Sequence, residues 1–516
     1  MLYVSPIVEA LRGRPRLVFW TATLAQALAW IIVPSLFYAS PPGDVPVVLA
    51  VGHEWKLGTA YGPPLGFWLA EIAFRLAGSS VIGLYILAQI CVIVTFWAMY
   101  TLGRSIVGAS HSALAVLLMA GISVFAAPTP DFGPAILAMP LTALALLFYW
   151  RGVGEGDRNS FIFLGGALGL LLLTTYFAAL LLATMVVFML ATERGRASLT
   201  TFYPYLVLPI MAVIALPHLL WLWRFVIVPA SVESAHPSVT IWLRQLLNLL
   251  IDHAGLFVLV MVSSAILIDR SIAVPELVRP PLDRFAKTFV YVFALAPAVL
   301  ATLIATLRGY AQPLGGEGAL VVLSGLAVIV LAGDVIRLYR QPAVGATWMA
   351  LLVGPPLLAV LAVILLPWIL ASELKVSEPS AAMGRFFTDS FNRRTGKPLA
   401  IVVGDERLAG LVALASPHRP SVLIAGDFER SQWLSAADLR DKGAIVVWPI
   451  TDLAGAPPQH LRERFPDLVP EVPRTFERRI QGRLPLMRVG WAMIRPQAAS
   501  PAPASPAPAA PAPSGQ

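Results

Sequence analysis

Long apolar runs separated by short charged intervals fill most of the first 371 residues. The runs fall at 17–38, 81–102, 112–127, 134–150, 161–176, 177–191, 205–223, 255–268, 289–307, 319–334 and 346–369. The longer ones can cross a hydrocarbon layer of about 30 Å as helices. The stretch 161–191 reads as one long helix or as two short ones. From residue 372 the pattern changes. Strand-like LAIVVG (399–404), PSVLIAG (420–426) and AIVVWPI (444–450) alternate with helix-like RLAGLVALA (407–415) and SAADLRDKG (435–443). That alternation predicts a small parallel α/β domain over 372–496. The Pro/Ala-rich remainder, 497–516, predicts a disordered spacer.

The fold class expected is an α-helical polytopic membrane protein of about eleven spans with a small C-terminal α/β domain. Charge placement chooses the two-helix reading of 161–191. With the N-terminus inside, fourteen cations between Arg12 and Arg340 fall on the cytoplasmic side. Five, Lys56, Arg75, Arg224, Arg244 and Arg308, fall outside. That bias obeys the positive-inside rule, and a single helix would reverse its later half. Composition agrees, at 58% hydrophobic and 13% charged. The net charge of +8 is therefore read as topology and not as nucleic-acid binding. Arg12, Arg14 and Arg16 before the first run resemble a signal peptide, but the run is too long for one and reads as a retained span. Cys91 is the sole cysteine and permits no internal disulfide.

The stretch 41–78, PPGDVPVVLAVGHEWKLGTAYGPPLGFWLAEIAFRLAG, is too polar for lipid and too apolar for a free linker. Pro63-Pro64 suits a helix start. Leu65, Trp68, Leu69, Ile72 and Leu76 recur at helical spacing, Glu71 and Arg75 pair at i,i+4, and Gly78 ends the run. This predicts an interfacial helix that ties down a loop bearing Asp44 at the outer mouth. A second surface helix is expected within 224–253, and the Gly-rich loop 308–319 lacks a phosphate-loop signature.

These residues resemble the first outer loop of bacterial membrane glycosyltransferases of the protein-mannosyltransferase type, family 39, which includes the lipid A sugar transferases and has the GT-C fold. The resemblance rests on Asp44, the GHEWKLG segment at 52–58, Pro63-Pro64-Leu65, and Thr129-Pro130-Asp131 at the next outer turn. It covers 15–230 best. It implies a polyprenyl-phosphate sugar donor, a cell-envelope lipid or glycan acceptor, and a periplasmic site in a bacterial inner membrane. It also implies Asp44 as catalytic base and Asp131 as second acid. The sequence departs from the family where Val45, Pro46, Val47 and Val48 follow the first acid, and where Thr174-Thr175-Tyr176 stands in place of a lysine.

Sugar transfer from a lipid phosphate needs a base for the acceptor hydroxyl and a cation for the leaving phosphate. Lys56, Arg308 and His53 are the candidates for the phosphate, and Glu54 and Tyr61 for acceptor or supporting roles. Each has a plainer alternative. Asp44 can be a turn former, Asp131 a helix cap, and Lys56 a solvated charge. His218, with Trp221 and Trp223, reads as an interfacial belt, and Asp252 and His253 read as interface residues. No cofactor is certain from the sequence. The two acids could share a divalent metal, although no ligand spacing demands it. The competing readings are a lipid or glycan transporter or flippase, whose acids would sit nearer the midplane, and a noncatalytic envelope assembly protein.

Overall fold

Each of the eleven apolar runs is occupied by helix in the computed structural model, which describes residues 6–127, 130–224, 238–264, 274–450 and 455–497. Thr129, Arg270 and the spacer from 498 lie outside the described residues, as do parts of the 224–253 segment and of the 255–268 run. Six helices are long and apolar enough to cross a membrane, or eight if two bent pairs each count as one; Ala109–Met119, Ser160–Leu172 and Glu317–Leu331 are shorter apolar helices.

The run 161–191 is two helices, Ser160–Leu172 and Phe177–Ala191. They turn at the end of the bundle that carries the acids, where the Leu65 N–H donates to Leu173 O at 2.9 Å and Gly315 packs on Phe177. Helix Ser160–Leu172 lies tight against Tyr203–Arg224 because Gly165 and Gly169 face Ile210 and Ile214. A Cβ at either glycine would come within 3.0 Å of the isoleucine Cβ. Small residues four apart are what lets apolar helices approach this closely. Val239–Asp252 is the amphipathic helix expected in 224–253. It is capped by Ser238, and Trp242 donates to Thr302.

At the opposite end, Glu276–Val278 (β1) and Val335–Arg337 (β2) form an antiparallel pair that the pattern did not announce. Three-residue strands give no readable alternation. They are held by side chains instead, with Arg337 on Glu276 at 2.9 Å and Arg279 on Asp334 at 3.2 Å.

The C-terminal domain is an α/β unit, but its sheet is mixed and not purely parallel. Ile401–Gly404 (β3), Ser421–Ile424 (β4) and Ala444–Pro449 (β5) are the three expected parallel strands. Arg474–Phe476 (β6) and Met487–Ile494 (β7) add antiparallel, in the order β4-β3-β5-β7-β6. The first three strands read as near-continuous apolar runs because both faces are covered.

One correction concerns the 41–78 stretch. Val45–His53 is a helix and not a loop, and Val45 through Gly52 are all buried. Its cover is helix Glu406–Ala415 of the C-terminal domain, so close that a Cβ on Gly410 would lie 3.1 Å from Pro46. Burying each of its valines and Leu49 is worth about 1.5–3 kcal/mol, which outweighs the modest helix propensity of valine. The interfacial helix forms as expected over Leu65–Leu76, with Gly78 at φ +70 behind it. Phe67, Ala70, Glu71 and Phe74 pack inward, whereas Ile72 and Leu76, on the apolar face named from sequence, are exposed, as a lipid-facing stripe is.

Glu71 is therefore a buried hub, 1% exposed. It accepts from Arg75 at 2.7 Å and from Arg419 at 3.2 Å, and contacts His53 Nδ1 at 3.3 Å. Burial alone would raise its pKa, but the bonds from His53 and Arg75 and the charge of Arg419 bring it down to about 2. Arg419 also donates to Leu49 O and lies 4.6 Å from the Phe74 ring centre, in a left-handed backbone conformation at φ +48. Removing one partner from a buried ion cluster costs about 3–5 kcal/mol. Glu71→Ala is expected to lower stability by about 3 kcal/mol and to release the C-terminal domain from the 45–76 segment. Thermal unfolding in detergent and new protease cleavage near 372–379 check it; wild-type behaviour in both removes Glu71 as the hub.

Candidate functional site

The chain leaves its first span at Phe37, turns at Pro41-Pro42-Gly43, and enters Val45–His53 with Asp44 at the helix start. The turn requires glycine. Gly43 has φ +48, and a Cβ there would sit 2.3 Å from Asp131 Oδ2. The two acids named from sequence are thus brought together at Gly43, close enough for the charge of Asp44 to act on Asp131, although two spans separate them in the chain. Neither takes its plainer role. Asp44 makes no side-chain capping bond to the helix it opens. Asp131 does not cap Pro134–Tyr149, whose N-cap is Gly133.

Asp44 is exposed, whereas Asp131 is largely buried and its Oδ1 has no hydrogen-bond partner. Burial, and then the charge of Asp44, raise the Asp131 pKa to about 7, against a smaller opposing pull from Arg407. Tyr38 and Tyr85 are within electrostatic reach of the same carboxyl. The pair resembles other apposed carboxyls, in which one group stays ionised while its neighbour holds a proton.

Arg407 comes from the C-terminal domain and was not read from the sequence. Its Nη1 donates to Gly43 O at 2.6 Å, its Nη2 to Pro41 O at 3.0 Å and to Lys375 O at 2.7 Å, and its Nε to Glu378 at 2.8 Å. One guanidinium therefore fixes both carbonyls that flank the acid turn. A planar fork with five N–H donors suits this, and a lysine would not. Nothing in the local sequence could signal it, because its partners are backbone atoms some 360 residues away.

The other predicted residues separate into groups. Lys56 lies beyond the far end of the Val45–His53 helix, about 14 Å along its axis from Asp44 at 1.5 Å per residue. It is exposed. His53 and Glu54 turn toward the C-terminal domain, His53 onto Glu71 and Glu54 toward Ser421 and Lys442. Burial holds Glu54 above the usual carboxylate range against these partners. Tyr61 donates to Glu406 at 2.9 Å, and Glu406 meets Arg430 at 3.4 Å. Arg308 caps the end of Arg284–Leu307 and is exposed. Its loop runs beside the acid turn, since Gly316 packs on Ala135, four residues beyond Asp131. The structure thus joins Asp44, Asp131 and the Arg308 loop at one mouth, gives Glu54 and Tyr61 partners in the C-terminal domain, and sets His53 on Glu71.

His218 is a correction. It is fully buried and not part of an exposed belt. Its Nδ1 lies 3.0 Å from Leu57 O and its Nε2 3.1 Å from the Tyr176 hydroxyl, which assigns the Nδ1–H tautomer and makes Tyr176 the donor. It stacks on Trp221, and Gly58 fits against both rings. His218 thus latches the 52–58 turn. Trp223 is 88% exposed, as a belt residue would be. Asp252 accepts from Ser123, and His253 Nε2 lies 2.8 Å from Ser324 Oγ. Among the described residues no group of three or more His, Cys, Asp or Glu is arranged to hold a metal ion.

Residues 61–221 match the family model of the dolichyl-phosphate-mannose-protein mannosyltransferases. No curated protein sequence matches significantly. Over most of its length the fold is similar to solved structures. ArnT from Cupriavidus metallidurans bound to undecaprenyl phosphate aligns with a TM-score of 0.60 at 13% identity, over 92% of this chain and 97% of that one. The apo form of the same protein gives 0.57 at 14% identity over the same shares. Arabinofuranosyltransferase AftD from Mycobacteria gives 0.51 at 14% identity, over 93% of this chain and 40% of that one. At these identities the likeness is one of fold.

A carboxyl raised to about 7 has a definite pH signature. The folded state binds this proton more tightly than the unfolded chain, so the contribution is fully present below the ordinary Asp pKa and is lost as pH rises through 7. Asp131→Asn is therefore expected to raise the unfolding temperature at both pH values, and by more than twice as much at pH 8.5 as at pH 5, where only part of the loss has occurred. Scanning fluorimetry in detergent at both pH values checks this, and equal shifts at the two would show that Asp131 is not held protonated.

Proposed function

We propose that this chain, which has the fold of the GT-C membrane glycosyltransferases, is an inverting enzyme that moves a sugar from a polyprenyl-phosphate donor to a lipid or glycan acceptor of the cell envelope. The site is taken to face the periplasm of a bacterial inner membrane, with the N-terminus in the cytoplasm and the C-terminal domain outside. The observation that carries this reading is the meeting of Asp44 and Asp131 at the mouth of the bundle, in a fold shared with a protein solved with undecaprenyl phosphate bound.

In this reaction Asp44 takes the proton from the acceptor hydroxyl as its oxygen attacks the anomeric carbon. The bond from that carbon to the phosphate oxygen breaks, and polyprenyl phosphate leaves. Asp44 suits the base because its carboxylate is exposed and uncommitted to a cap. Asp131, protonated over much of the neutral range, keeps the pair from carrying two full charges and orients the acceptor. Arg308, exposed on the loop beside the acid turn, meets the leaving phosphate. Lys56, at the far end of the helix from Asp44, contacts the donor farther from the reacting carbon. Arg407 acts as a positioning residue through Pro41 and Gly43.

Two carboxylates alone make a sparse set for a divalent cation, which usually takes six or more oxygens. We therefore expect transfer to survive EDTA, and abolition by EDTA with rescue by added magnesium or manganese would give the acid pair a metal. The central test is transfer of radiolabelled sugar from a panel of polyprenyl-phosphate sugars into envelope fractions. Asp44→Asn should lose at least about 100-fold in rate, the scale of a general base, while keeping the wild-type unfolding temperature. Undiminished transfer removes Asp44 as base. No label from any donor with well-folded protein removes the enzyme reading and favours transport.

A further inference from the structure

At the end of the bundle opposite the acids, three arginines from three separate spans converge on one cavity of about 320 Å³. Arg16 lies in the first turn of Pro15–Phe37, and Arg104 in the last turn of Ile82–Val107. Arg151 sits in Trp150–Gly154, a π-helical turn that closes the Pro134 span. No acidic residue lines the cavity. Among the described residues none of the three guanidinium groups has a hydrogen-bond or ion-pair partner. At the same end Arg194 pairs with Asp283, Arg279 with Asp334, and Arg337 with Glu276, while Arg12 donates to Glu276 O.

The rest of the lining is rigid and aromatic. Phe19 stacks on Tyr100 at 4.6 Å and meets Trp20 edge-on at 5.0 Å. The Tyr100 hydroxyl is within electrostatic reach of Arg104 and Arg16, and Trp97 closes the wall. The π-helical turn is a second, independent observation. Such turns are rare and frequently accompany functional sites, and this one shifts Arg151 off the α-helical register of its span. Three like charges lining one space repel each other; Arg16 and Arg104 are exposed, so water screens part of that repulsion, and an anion held between the three relieves the rest. A phosphate offers three or four oxygens to planar forks that bind it two bonds at a time.

We propose that this cavity is a binding site for a phosphate ester, distinct from the acid mouth. The tryptophans at its rim and its place between spans suit the headgroup of an anionic lipid, and a free pyrophosphate would satisfy the same three forks. The site goes beyond the glycosyltransferase reading and stands on different residues.

The test uses the full-length protein, delipidated in detergent. Native mass spectrometry would compare phosphatidylglycerol with phosphatidylcholine, and calorimetry would titrate inorganic pyrophosphate. Phosphatidylglycerol, pyrophosphate or both should bind, the lipid at least tenfold more tightly than phosphatidylcholine. R16Q/R104Q/R151Q should abolish that binding, whereas R14Q/K287Q, cations of the same end outside the cavity, should leave it intact. Binding of the lipid alone identifies a headgroup, and binding of pyrophosphate identifies a free phosphate. If the glutamine variant fails to fold, R16K/R104K/R151K keeps the charge and loses the forks, and it should weaken binding several-fold. Wild-type affinity in the variant that folds, an equal loss in the control, or no binding of either probe overturns the site. Sugar transfer is not among these readouts, so the fate of the glycosyltransferase reading is decided separately.

Discussion

Two acids brought together at one glycine set the terms for the acid mouth. Their mutual repulsion and the burial of Asp131 both oppose ionisation, and Asp131 responds by holding its proton to about pH 7. The arrangement persists only if the Pro41–Asp44 turn cannot swing away. Arg407 prevents this by binding the carbonyls of Pro41 and Gly43 while its own charge is shared with Glu378. A cation at this point also moderates the Asp131 shift, so one side chain acts on both geometry and charge. The C-terminal domain is for this reason part of the site, and not an appendage to it.

The docking of that domain follows the same logic at larger scale. The helix Val45–His53 is apolar on all sides, which in isolation would be unstable in water and too short to span lipid. It is stable because spans lie on one side and Glu406–Ala415 on the other. The ionic contacts then fix register. Glu71 receives Arg419, Tyr61 meets Glu406, and the N–H groups of Ala39 and Ser40 donate to Val376 O. Apolar burial supplies most of the free energy, and the buried charges choose which of many apolar fits is adopted.

These facts explain what could be read from sequence and what could not. The spans were legible because a hydrocarbon core imposes runs of a required length, and the split of 161–191 was legible because arginines are sorted by side. Asp44 and Asp131 were named through a resemblance in motif, and only the fold shows that they stand within electrostatic reach of each other. The helix at Val45–His53 was missed because its all-apolar pattern has no period and its covering helix lies 360 residues on. The burial of Glu71 on the inner face of Leu65–Leu76 left no sequence signal, because its partner Arg419 lies about 350 residues on. The strands β6 and β7 were missed because the first is three residues long and the second interrupts its apolar run with Gly490. Arg407 left no local trace at all.

The two ends of the bundle use arginine in opposite ways. At the acid end Arg407, Arg419, Arg75 and Arg430 each neutralise a carboxylate of the protein itself. Their charge is consumed internally, and what remains outward is the Asp44 carboxylate and the exposed Arg308. At the other end Arg16, Arg104 and Arg151 have no such carboxylate, although acids stand nearby on Glu155 and Asp157. Glu155 accepts from Trp150, and Asp157 accepts from Asn159 and Ser160, so both are already engaged. Topological sorting alone asks only that cations lie on one side of the membrane. It does not ask that three of them leave three different helices to face one aromatic-walled space while the local acids are bonded elsewhere. That extra order has an energetic cost from like-charge repulsion, and a cost of this kind persists in a structure where something outside the chain offsets it.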